Sequence, residues 1–144
     1  MQAVLSYLGP TVAGMTASLN AIGLVVADMP AAVAFYRLVG LPFASDSNDH
    51  EDCEFAPGVR LMLDTEGMIK SLFPDWTRPT GGPQVALAFQ FESPGQVDDK
   101  VAELAKAGHR VVKEPYDAFW GQRYATVHDP DGNAVDLYAA LPTD

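Results

Sequence analysis

The sequence predicts an α+β fold built from two copies of one unit: a strand, a helix, then three strands. Three observations predict it. An alternating run followed by a run at helical spacing occurs twice in the 144 residues. Each helical run is bracketed by an N-cap residue with an early proline and by a stopping glycine. Each half then closes in an alternating hairpin.

Residues 21–27 begin the first unit: Ile22, Leu24 and Val26 point one way, and the small Ala21 and Gly23 point the other with Val25. Asp28 suits an N-cap, Pro30 a first turn, and the helix over residues 31–39 stops at Gly40. Residues 41–64 are expected to form short antiparallel strands, weakly patterned over 45–52 and clearer where Val59, Leu61 and Leu63 alternate with Arg60, Met62 and Asp64 across the turn at Pro57-Gly58. Residues 65–83 hold Phe73 and Trp76 and end in Pro79, Gly81, Gly82 and Pro83; they read as a long linker.

The second unit restarts with Val85, Leu87 and Phe89 alternating against Gln84, Ala86, Ala88 and Gln90. Ser93-Pro94-Gly95-Gln96 offers an N-cap, a first-turn proline and a capping-box glutamine, and Val97, Val101, Leu104 and Ala105 repeat at helical spacing up to Gly108. A short strand at Val111-Val112 and a loop over 114–119 lead to the strongest hairpin signal in the chain. There residues 124–128 and 134–138 alternate around Asp129-Pro130-Asp131-Gly132, so Asp136 and Tyr138 project together from the more polar face. Laying Ile22 on Val85 gives an offset of 85 − 22 = 63 and puts Ala21 opposite Gln84, while laying Leu61 on Val135 gives 135 − 61 = 74 and puts Met62 opposite Asp136. The two open faces of such a repeat are expected to meet in a cup.

Composition narrows the function. Nine Lys and Arg against 19 Asp and Glu give a net charge of −10, which argues against a nucleic-acid backbone or an anionic membrane as partner. One cysteine, Cys53, excludes an intramolecular disulfide and a cysteine zinc cage. The apolar start lacks a preceding positive charge and is broken by Gly9-Pro10, against a signal peptide or a spanning helix, so a soluble cytoplasmic protein is expected.

Two segments, Val26-Ala27-Asp28 leading into Ala34-Phe35-Tyr36-Arg37 and Gly40-Leu41, and Asp129-Pro130-Asp131-Gly132-Asn133 leading into Val135-Asp136-Leu137, carry a family likeness. Over roughly residues 19–141 the chain resembles the vicinal oxygen chelate superfamily, the glyoxalase, bleomycin-resistance and extradiol-dioxygenase group, and within it the metal-free bleomycin-resistance-like members. The resemblance implies two βαβββ modules, about 19–66 and 83–141, in one domain over 19–144, with a curved mixed sheet around a cup and the helices outside. Residues 1–18 then form an N-terminal extension. It also implies a homodimer or a cup closed within one chain; the Pro/Gly-rich linker favours the dimer.

The metal positions of the family's metal-dependent members fall on Ala21, Met62, Gln84 and Asp136. Ala21 and Met62 cannot supply a hard ligand, so no metal and no other cofactor is expected. Trp120, before Gly121, resembles the segment that offers an indole to a flat ligand in the drug-binding members. The expected ligand-binding residues are Trp120, Asp136, Gln84, Tyr138, Met62 and Trp76, around a small, partly planar amphipathic molecule held for drug or metabolite sequestration. The alternative is a metal-dependent glyoxalase-like lyase, isomerase or dioxygenase. Elsewhere, His50 with Glu51, Asp52 and Glu54 reads as a polar loop, His128 as a turn-side histidine, His109 as surface, and Phe35 and Tyr36 as core. Arg123 suits either a ligand carboxylate or Asp129 or Asp131.

Since the repeat begins near Leu19, a chain starting at Met15 should melt like the full chain. A stability loss above roughly 2 kcal/mol, a size typical of core disruption, would place residues 1–14 in the core instead.

Overall fold

The computed structural model describes residues 16–143; the expectation for residues 1–14 lies outside them. The elements are β1 (Ala21–Val26), α1 (Met29–Val39), β2 (His50–Ala56), β3 (Val59–Thr65), α2 (Glu66–Leu72), β4 (Ala86–Gln90), α3 (Pro94–Lys106), β5 (Val111–Ala118), β6 (Gln122–His128) and β7 (Ala134–Ala140). They form two mixed sheets, ordered β1-β3-β2 and β4-β7-β6-β5. In each, the first strand runs parallel to the last strand of its own half. The fold is α+β, as expected, but the sheet is split in two.

The helix signals hold. Asp28 Oδ1 accepts from Ala31 N at 3.0 Å, Ser93 Oγ accepts from Gln96 N at 3.3 Å, and the Gln96 side chain reaches back to accept from Glu92 N at 2.9 Å. Gly40, at φ 134°, ends α1 where a β-carbon would be strained. The inner faces of both sheets and the two long helices share one core, in which Phe35, Tyr36, Leu63, Leu104, Val135 and Leu137 are fully buried. Each apolar side chain of that kind contributes about 1.5–3 kcal/mol on burial. Because α1 and α3 pack together on the core side, the alternate residues of β3 and β7, Met62 and Asp136 among them, face away from the helices.

Four expectations about the elements and their register need correction. The first half has two strands after its helix, not three: Leu41 and Phe43 are buried, but at 45–49 side chains take over the backbone's partners, with Glu51 Oε2 accepting from Asn48 N at 2.9 Å. Such local bonds compete with a sheet ladder. The linker is not featureless, since Thr65 caps the seven-residue α2 by accepting from Met68 N at 3.2 Å. Residues 114–118, read as loop, belong to β5; Pro115 is tolerated there because β5 is an edge strand whose register slips between Lys113 and Tyr116. The fourth is the register of the repeat. Leu24 pairs with Leu63 and Phe89 with Leu137, so β1 and β4 correspond at 89 − 24 = 65, two more than the sequence suggested. A two-residue slip keeps every side chain on its face, which is why alternation alone could not detect it.

Asp129 joins the halves. Its side chain, 4% exposed, accepts from the Tyr36 hydroxyl at 2.6 Å, from Asp131 N and Asn133 N at 2.9 Å each, and from Asn133 Nδ2 at 2.8 Å. Burial, then the Asp129 charge, pushes the Tyr36 phenol well up, so it donates throughout the useful pH range. His109, expected at the surface, is half-buried: its ring meets Phe35 edge-on at 4.8 Å, and burial pushes its pKa down. Arg123 pairs with Asp98 and Asp117, at 3.0 Å each, and with neither turn aspartate.

The open face of the first sheet is ionic. His50 lies in β2, not in a loop; its Nδ1 meets Asp64 at 2.6 Å and its Nε2 meets Asp52 at 3.1 Å, while Asp52 also pairs with Arg60. With both ring nitrogens donating, the imidazolium is favoured and the His50 pKa is raised, by the Asp64 bond first.

Two tests follow from these bonds. Tyr36→Phe removes one hydrogen bond to a buried carboxylate and should cost about 1.5–3 kcal/mol in urea denaturation; a loss below about 0.5 kcal/mol would dismiss the tie between halves. A raised histidine pKa stabilises the fold at low pH and loses that contribution as pH rises through the folded-state value. The stability gap between the parent and His50→Gln should therefore be widest below about pH 6.5 and close at higher pH. Comparing the two proteins cancels the opposite contribution of His109. A gap that widens with pH would refute the imidazolium assignment.

Candidate functional site

The strand register lays two rows across the open face of the second sheet. Tyr116, Tyr124, Tyr138 and Gln90 stand opposite one another across β5, β6, β7 and β4, and Lys113, Thr126, Asp136 and Ala88 form the next row. The first row is aromatic with an amide at its end; the second is polar with a small residue at its end. Tyr124 and Tyr138 stack with centroids 5.9 Å apart and planes at 22°, and Lys113 Nζ lies 4.9 Å from the centre of the Tyr116 ring.

Asp136, in the second row, ties the two rows together. Tyr124 donates to Oδ2 at 2.7 Å and Thr126 donates to Oδ1 at 2.8 Å, so both carboxylate oxygens are held in place. Burial first, and then the bond to Asp136, pushes the Tyr124 phenol up to about 12, so it remains a donor. Asp136 is thereby oriented as a fixed acceptor.

Trp120 forms one wall. It lies in the three-residue connection between β5 and β6, where Gly121 adopts φ 90° and donates its N–H to Ala118 O at 3.0 Å. The indole donates to Gln122 Oε1 at 2.8 Å and stands edge-on to Tyr124 at 5.4 Å and to Tyr116 at 6.3 Å. Despite these neighbours it is 48% exposed, and Phe119 beside it is 96% exposed. On the β4 side, the row ends at a cavity of about 380 Å³ whose walls include Ile22, Phe55, Leu61, Ala88 and Gln90. Both β1 and β4 are sheet edges that do not bond to each other.

The structure therefore brings together Trp120, Asp136 and Tyr138, and separates the other three. Met62 lies on the first sheet opposite Gly23, in the row of Asp52. Gln84 precedes β4 and stands four residues before the partner of Asp136, roughly 13 Å at the rise of a strand. Gln84 and Trp76 line a different cavity, with the linker and the β6–β7 turn. The amide that the register delivers to the aromatic row is Gln90. Tyr116, Tyr124, Thr126 and Gln90 were not singled out from sequence. The shared face of Gln122, Tyr124 and Thr126 was the available signal, since cross-strand partners of Asp136 must come from that face.

The residues at the family's metal positions do not fit a divalent ion. Ala21 has no donor, Met62 offers a thioether and Gln84 is displaced along the ladder, which leaves Asp136 as the single hard donor at these positions. Among the described residues no group of three or more His, Cys, Asp and Glu side chains could hold a metal. No helix among them is long and apolar enough to cross a membrane.

Solved structures share this fold. A glyoxalase/bleomycin resistance protein/dioxygenase family enzyme from Burkholderia phytofirmans PsJN superposes with a TM-score of 0.75 at 21% identity, covering 87% of this chain and 100% of that one. A glyoxalase-related enzyme from Fulvimarina pelagi gives 0.73 at 19% identity, covering 85% and 87%. A glyoxalase/bleomycin resistance protein/dioxygenase from Nocardioides gives 0.71 at 23% identity, covering 99% and 94%. No curated protein matches the chain. The family profile matches residues 18–137, most of the chain and both halves of the repeat, and by that match the chain belongs to the Glyoxalase/Bleomycin resistance protein/Dioxygenase superfamily.

Proposed function

We propose that this chain binds a small, partly planar amphipathic molecule on the open face of the second sheet and sequesters it without making or breaking a bond. The observation that carries this reading is the half-exposed Trp120 standing over a row of tyrosines around a fixed acceptor, Asp136. A flat ring can lie along Tyr124 and Tyr138 against the indole, while its polar edge meets Asp136, Thr126 or Gln90. Apolar substituents have room in the cavity beyond Ala88 and Gln90.

Sequestration accounts for the site better than catalysis does. General acid–base catalysis needs partners that exchange protons near neutral pH, and the phenol bonded to Asp136 is pushed up to about 12. The net charge of −10 favours cationic ligands during encounter. The unpaired edges of β1 and β4 are the places where a second copy of the chain can add strands, and a homodimer is part of the proposal. Its single test is the mass in sedimentation, expected at about twice the 15.4 kDa of the chain.

Isothermal titration with planar aromatic cations tests the site directly, and Trp120 fluorescence in a Trp76→Phe background reports binding beside the indole. Stacking on an indole contributes about 0.5–1.5 kcal/mol beyond area burial, so Trp120→Ala should weaken binding at least tenfold, or about 1.4 kcal/mol, and Trp120→Phe less. Gln90→Ala should also weaken binding and Gln84→Ala should not. Unchanged affinity in folded Trp120→Ala would make the indole scaffold. Elemental analysis of the purified protein should find no stoichiometric divalent ion; about one Zn, Ni, Mn or Fe per chain after mild dialysis would overturn the metal-free reading.

A further inference from the structure

Trp76, Arg78 and the residues up to Val85 wall a second cavity, of about 420 Å³, with β1 and the β6–β7 turn. One carboxylate there is incompletely satisfied. The Asp131 side chain is 4% exposed; its Oδ1 accepts from Ala27 N at 2.9 Å and from Arg78 Nη2 at 3.0 Å, but its Oδ2 is buried with no partner. Arg78 is shared with Glu66, so two carboxylates face one guanidinium and one negative charge is left over. A buried acceptor without a donor is a cost that a native fold rarely carries without a use.

We propose that this cavity is a second binding site, for a small organic ammonium ion whose nitrogen donates to Asp131 Oδ2 and whose apolar body lies against Trp76, Leu24 and Val25. An ammonium brings three donors and the missing positive charge. An indole face attracts a cation through its quadrupole, and Lys70 Nζ already lies 5.9 Å from the centre of the Trp76 ring. The volume suits a small ligand. Arg78 is the cover of the site: it reaches Asp131 from the linker, its side chain is 40% exposed, and it competes with the ligand for the same carboxylate. Burial raises the Asp131 pKa, so acid removes the charge that the ammonium needs.

The site is distinct from the aromatic face of the second sheet, and a Trp120→Phe background keeps the two apart by leaving Trp76 as the remaining tryptophan. In that background phenethylamine should quench Trp76 saturably and bind at least tenfold tighter than its uncharged match, 2-phenylethanol. Asp131→Asn should weaken the amine at least tenfold, with the fold checked by circular dichroism. Arg78→Gln should tighten it severalfold, because it removes a competitor; a purely structural arginine would show no change or a loss. Affinity should fall as pH is lowered toward the carboxylate range. Should Asp131→Asn fail to fold, the alcohol comparison and Arg78→Gln decide. Equal binding of amine and alcohol, no saturable quenching, or unchanged or weaker binding in Arg78→Gln would overturn the proposal.

Discussion

The buried hydrogen bond from Tyr36 to Asp129 is the constraint on which the rest of the structure depends. It links the first helix to the last turn, 93 residues apart, in a region neither half could build alone. A buried carboxylate is costly unless its oxygens are satisfied. Asp129 meets that condition by drawing on the turn it belongs to and on the opposite half. Asp131 repeats the connection by accepting from Ala27 N, just before α1. The turn between β6 and β7 is thus fastened to the first half, and the strands that leave it carry Tyr124, Thr126, Asp136 and Tyr138 as a rigid set.

The same bond gives a physical meaning to the two segments that carry the family likeness. Each is weak alone; they occur together because Tyr36 lies in one and Asp129 in the other, and the two side chains touch. Much of the fold was legible for similarly local reasons. Asp28, Ser93, Gly40 and Gly132 each demand a particular backbone state, and the period of the apolar residues fixed which face of each element is buried. The illegible parts are non-local or are decided by competition. Thr65 as a cap and Ser45 to Glu51 as a self-bonded segment depend on side chains capturing backbone groups. The length of β5 depends on β6 being there to pair with it, against the preference of Pro115.

Site residues were legible only where one strand sufficed. Asp136 and Tyr138 share a face by alternation, and Trp120 stands out because Gly121 allows a tight connection after it. Which side chains surround Asp136 is a matter of register between strands, and alternation leaves register open by multiples of two. That freedom accounts for the displaced glutamine. At an offset of 63 Gln84 belongs to the site, and at the observed 65 it lies beyond it while Gln90 stands level with Tyr138.

The two open faces also differ in kind, although they occupy equivalent positions in the repeat. Met62 and Asp136 correspond, yet Met62 stands in a row of charged side chains and Asp136 among phenols. On the first sheet, His50, Arg60 and three carboxylates bond to one another, so their capacity is consumed internally, and partly exposed pairs of this kind add little to stability. On the second sheet the polar groups bond to one another and the tyrosines stack, but the indole of Trp120 is left half against water, and an exposed π surface is free to take a flat partner. The extra strand widens that difference. By adding β5, which the first half has no counterpart for, the second half gains Lys113, Tyr116 and the connection that carries Trp120. The proposed binding surface thus arises from the element by which the halves differ.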